Sequence, residues 1–69
     1  MNIKIRIGSI AFIVTHTFDD NIQQHKMEWV EHDPKYRCVI YDRDVELAVQ
    51  TMGEVLRGRF NLPTTMMIS

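Results

Sequence analysis

Ile3-Lys4-Ile5-Arg6-Ile7 alternates apolar with cationic residues, Gly8-Ser9 interrupts, and a second β-rich run opens at Ile10-Ala11-Phe12-Ile13-Val14. Strict alternation is the period of a strand with one buried face. A two-residue loop beginning with glycine predicts a type I′ or II′ hairpin. With that loop, Ile7 lies opposite Ile10, Ile5 opposite Phe12 and Ile3 opposite Val14, all on one face. Lys4, Arg6, Ala11 and Ile13 share the other. A slip of one residue would mix the two sets, so the hydrophobic pattern fixes the register.

The second strand runs on to Phe18 and stops at Asp19-Asp20-Asn21, a polar, turn-forming triplet. A weaker strand follows over about 23–31, carrying Met27, Trp29 and Val30. His32-Asp33-Pro34-Lys35 supplies a turn, because proline sets φ and aspartate closes the loop with its side chain. Tyr36-Arg37-Cys38-Val39-Ile40-Tyr41 is strongly β. Pairing Glu31 with Tyr36 sets Trp29 against Cys38 and Met27 against Ile40 on the inner face. Val30 then faces Arg37, Glu28 faces Val39 and Lys26 faces Tyr41 on the outer one.

From residue 43 to 57 the period changes. Val45, Ala48, Val49, Met52, Val55 and Leu56 form the apolar stripe of an amphipathic helix. Asp42 or Asp44 caps its start. Gly58 is expected in the left-handed position after its end, with Arg57 and Arg59 suiting the negative pole of the dipole. Pro63 bars continuation. The tail 64–69 can add a fifth strand by crossing back over the helix, fold over the outer face, or dock on a partner. The fold class is therefore α+β: a mainly antiparallel four-stranded sheet of two hairpins, one C-terminal helix on one face, and room for a short fifth strand. Residues 1–69 form one small domain, with an expected core of Ile3, Ile5, Ile7, Ile10, Phe12, Val14, Met27, Trp29, Cys38, Ile40, Val45, Val49, Met52 and Leu56.

Composition removes several classes of function. One cysteine rules out an internal disulfide. No secretory leader opens the chain and no apolar run approaches a membrane span, so a reducing cytoplasm is expected and membrane contact is not. A net charge of −1 carries no overall footprint for nucleic acid. A 69-residue chain buries only about 60% of its unfolded surface. Self-association or a larger partner is the expected source of the missing stability.

No constellation calls for catalysis or a cofactor. His16, His25, His32 and Cys38 lack the short two-to-four-residue clip from which zinc sites start, so no metal site is expected. Cys38 reads as a small hydrophobe beside Trp29 rather than a nucleophile activated by His16 or His25. Asp42 and Asp44 stand where a strand becomes a helix, a place for a metal-dependent nuclease, but capping accounts for them. Glycine-rich phosphate loops are absent from the sequence.

What remains is the outer sheet face, where Ile13, Val30, Val39 and Tyr41 stand among Lys4, Arg6, Glu28 and Arg37. A face that met only water would be polar at most of these positions. Apolar residues with an aromatic and arginines are the mixture enriched at interfaces. The expected function is a non-catalytic protein-binding module, an inhibitor, adaptor or regulator of a larger assembly, in the style of small regulators carried by phages and mobile elements. Its partner is a larger target or a second copy in a homodimer, held through Ile13, Val30, Arg37, Val39 and Tyr41. Leu47, alone on the polar side of the helix, is a further candidate contact. The alternative is a nucleic-acid-associated protein that binds single strands through Lys4, Arg6, Lys26, Arg37 and Tyr41, or a weak nuclease using Asp42, Asp44 and a histidine.

Overall fold

Gly8 adopts φ 62°, the left-handed backbone that the first hairpin demands, while Ser9 does not. Positive φ at the first loop position alone is the type II′ pattern. The computed structural model describes residues 1–32 and 35–62, and residues 66–68 by their backbone. Strand β1 (Asn2–Ile7) pairs antiparallel with β2 (Ile10–Asp19), and β3 (Gln24–His32) with β4 (Lys35–Asp42). Both registers are those expected from the hydrophobic pattern: Ile7↔Ile10 and Ile3↔Val14 in the first hairpin, Trp29↔Cys38 and Val30↔Arg37 in the second. Asp33 and Pro34 of the expected second turn lie outside the described residues.

The two hairpins join through β2 and β3, from Thr15↔Glu28 to Asp19↔Gln24. The connection between them is held by its own polar groups. The Asp19 carboxylate accepts from the Asn21 N–H at 2.9 Å, the Gln23 side-chain amide donates to the Asp20 carbonyl, and Gln23 takes φ 55°. Glutamine pays a steric cost there that glycine or asparagine would largely avoid.

Helix α1 spans Val45–Arg59. Asp44 is its N-cap: one carboxylate oxygen accepts from Glu46 N–H at 2.9 Å and Leu47 N–H at 3.3 Å. Asp42, the other candidate, instead accepts from the Asp44 N–H at 2.9 Å and so shapes the approach to the cap. The end of the helix corrects the expectation for Gly58, which lies inside the helix. Asn61 takes the left-handed position at φ 53°. The Leu62 N–H reaches back to the Arg57 carbonyl and the Asn61 N–H to that of Gly58, the paired bonds of a Schellman motif. Propensity alone misplaces the stop by about a turn, because asparagine can also adopt this conformation.

Helix α1 lies on one face of the sheet and carries the chain from the β4 edge to the opposite edge. There β5 (Met66–Ile68) pairs antiparallel with β1, giving the order β4-β3-β2-β1-β5. The core between the layers comprises Ile5, Ile7, Phe12, Val14, Met27 and Cys38 from the sheet, and Ala48, Val49, Met52 and Leu56 from the helix. Ile3, Trp29, Ile40 and Val45 are half-buried against it. Ile10 departs from the expected core. It has the inward register but sits at the hairpin tip, immediately after the turn, and is 40% exposed. Phe60, just past the helix, takes part in a cluster with Phe12 at 5.5 Å and Trp29 at 5.7 Å between ring centroids, the latter edge-to-face. Phe12 and Trp29 also meet edge-to-face at 5.4 Å. No helix among the described residues is long and apolar enough to cross a membrane.

Candidate functional site

The hairpin registers, together with the β2–β3 pairing, bring five of the six candidate contact residues onto one surface. Ile13 is opposite Lys4 and Val30 opposite Arg37; Val39 is opposite Glu28 and Tyr41 opposite Lys26. Ile13 and Val30 each stand two residues beyond the Thr15↔Glu28 pair. The middle of the sheet is thus aliphatic, with cations to either side. Ile13 is 51% exposed, Tyr41 45% and Val30 37%, while Val39 is half-buried. Since α1 packs on the opposite face and β5 lengthens the sheet at its edge, no described element lies over these residues.

The electrostatics of the face turn on Glu28. Its two carboxylate oxygens are taken by Lys26, at 3.6 Å, and by Arg37, so a triad of one acid and two bases crosses β3 and β4. Lys4 and Arg6 have no such neighbour. Lys4 pairs with Ile13, Arg6 pairs with Ala11 on β2 and with Met67 on β5, and neither cation forms an ion pair among the described residues. Placing an acid at Val39 would set it directly opposite Glu28, a like-charge pair that strands disfavour. Ile13, beside Lys4, is the better place to introduce one.

Leu47 is not part of this surface. It projects from the far side of the helix, 51% exposed, into a shallow depression lined with Gln50, Thr51, Glu54 and Val55. The helix and sheet layers separate it from the other five.

Sequence reasoning missed a contact on the inner face. His16 Nε2 and His25 Nδ1 are 2.9 Å apart, and the Phe18 and His25 rings meet edge-to-face with centroids 4.9 Å apart. Two nitrogens at that distance require one to donate and the other to accept, so at least one ring is neutral. The contact depends on the β2–β3 register, which the irregular Asp20–Gln23 connection sets and which no hydrophobic pattern announces. Among the described residues, no three His, Cys, Asp or Glu side chains come together in a group able to hold a metal ion. Cys38 is buried, and burial pushes its thiol above the ordinary value, which works against a thiolate nucleophile. Asp42 and Asp44 spend carboxylate oxygens on backbone N–H groups around the helix start.

Comparison of the chain with protein-family models, with curated proteins and with solved structures gives no match.

Proposed function

We propose that this chain is a small, non-catalytic protein-binding module that acts through the outer face of its sheet, as an inhibitor, adaptor or regulator of a larger assembly in the cytoplasm. The observation that carries the reading is the exposed aliphatic centre of that face, Ile13 and Val30 with Tyr41. The outward positions of a sheet that met only water would carry polar side chains. Covering Ile13 and Val30 also supplies the apolar burial that a chain this short has little room for internally.

The experiment is an affinity capture from cells that naturally make the protein, run with the wild type and with Ile13→Glu, together with light scattering of each purified protein. Ile13→Glu places a carboxylate opposite Lys4 and leaves the core untouched, so circular dichroism and melting should match the wild type. A protein held by the wild type and lost by the variant supports the reading, as does a dimer mass that the variant abolishes. Identical capture and identical mass for the two proteins would refute it.

A further inference from the structure

The charge of the chain is sorted between its surfaces. Among the described residues, five of the eight lysines and arginines lie at outward positions of the sheet, namely Lys4, Arg6, Lys26, Lys35 and Arg37, against two of the eight acids, Asp19 and Glu28. Among the described residues the outer face therefore carries +3 and the remaining charged side chains −3, in a chain whose total is −1. Whole-chain charge conceals this. Salt screens exposed charges beyond about 8 Å, so an approaching partner responds to the face and not to the total. Asp19 stands at the end of β2 and is engaged by the Asn21 N–H, and Glu28 is already shared by Lys26 and Arg37. Lys4 and Arg6 are exposed, beside Ile13 and Ala11.

From this sorting we infer that the outer face takes a protein surface of opposite character, apolar at its centre and rimmed with aspartate and glutamate, and not a second copy of the same face. The inference rests on the reading of that face as a protein interface and adds the chemistry of the partner. Two copies related by a two-fold axis would press +3 against +3, and like-charge juxtaposition is a strong selector against a partner. An acidic rim would instead meet Lys4, Arg6 and Lys35 around the edge while Ile13 and Val30 enter an apolar centre, the arrangement of core and rim common to protein interfaces. Nucleic acid would also answer the charge, but the centre is branched aliphatic, and the two exposed rings of this face, Tyr41 opposite Lys26 and His32 opposite Lys35, stand at opposite ends of the β3–β4 hairpin and make no continuous platform for bases to stack on.

The test uses fluorescence anisotropy with three labelled probes: a short amphipathic peptide of leucine and glutamate, its counterpart with every glutamate replaced by lysine, and an oligothymidylate. The glutamate peptide should bind at least about tenfold more tightly than the lysine peptide. Its affinity should fall about tenfold or more in the double variant Lys4→Glu with Arg6→Glu, in the milder pair Lys4→Gln with Arg6→Gln, and again in Ile13→Glu. If the two peptides bind equally and both are lost in Ile13→Glu, the face is a protein interface but its charge does not choose the partner, and the inference fails alone. If no peptide binding depends on Ile13, or none is seen up to about 1 mM, the interface reading fails with it. Tighter binding of the oligonucleotide, with a steep loss of affinity between about 50 and 200 mM salt, would assign the face to nucleic acid. A concentration-dependent mass abolished by Ile13→Glu would assign it to a second copy. Either result overturns the inference.

Discussion

His16 and His25 hydrogen-bond across β2 and β3, with Nε2 of the first 2.9 Å from Nδ1 of the second. The Met1 ammonium lies close by and donates to the His16 carbonyl at 3.1 Å. The His16 imidazole titrates below its ordinary 6.5, first because it is withdrawn from water, then because of the nearby positive charge of His25 and of the amino terminus. The unfolded chain thus takes up this proton before the folded one does. The stability tied to neutral His16 is complete above pH 6.5 and is lost as pH falls from 6.5 through the folded-state value. Urea midpoints should hold steady above pH 6.5 and decline below it, and His16→Gln should flatten the decline. Equal slopes for wild type and variant between pH 6.5 and about 5, above the carboxylate range, would count against the pair as the cause.

Gly8 sits at φ 62° in a two-residue loop. A β-branched side chain is strained there, so Gly8→Val should cost about 1–3 kcal/mol. An unchanged melting temperature would mean that the hairpin turns elsewhere.

Gly58 is the opposite case. It is an exposed residue within α1, and a Cβ built on it meets nothing within 4 Å. Alanine is the better helix former by about 1 kcal/mol, so Gly58→Ala should raise stability by about 0.5–1 kcal/mol in a denaturant titration. A loss of stability would indicate that Gly58 supplies the left-handed stop after all.

Phe60 is only half-buried, yet its ring meets both Phe12 and Trp29. Phe60→Ala should cost about 2 kcal/mol, below the range for a fully buried phenylalanine. It should also shift Trp29 fluorescence to longer wavelength as water reaches the indole. Unaltered emission would place Phe60 outside the cluster in solution.

Leu47, exposed on the helix, is expected to be incidental. Leu47→Lys should move stability by no more than about 0.5 kcal/mol and leave capture of a partner through the sheet face intact. Loss of that capture in a folded Leu47→Lys protein would make the helix part of the interface.

Local pattern was sufficient for the parts of the fold in which neighbours in sequence become neighbours in space. Ile3, Ile5 and Ile7 against Val14, Phe12 and Ile10 leave one register that keeps the apolar side chains together, and Glu31 against Tyr36 does the same for the second hairpin. Those registers sort each hairpin into an apolar face and an outer face, with Ile13 outward in the first and Val30, Val39 and Tyr41 outward in the second. The change of period at residue 43 announces the helix in the same way. Contacts between the hairpins were decided elsewhere. Asp20–Gln23 is irregular, so only the folded sheet sets His16 beside His25. The end of the helix is settled by which residue can turn left-handed and still return its N–H groups to the last carbonyls, and that is Asn61 with Leu62. The place of β5 at the β1 edge depends on where a 15-residue helix leaves the chain after crossing the core. Whether Ile10 is buried depends on what lies above the tip of its hairpin. These are properties of the assembled layers, and a periodicity of two or of 3.6 residues carries no information about them.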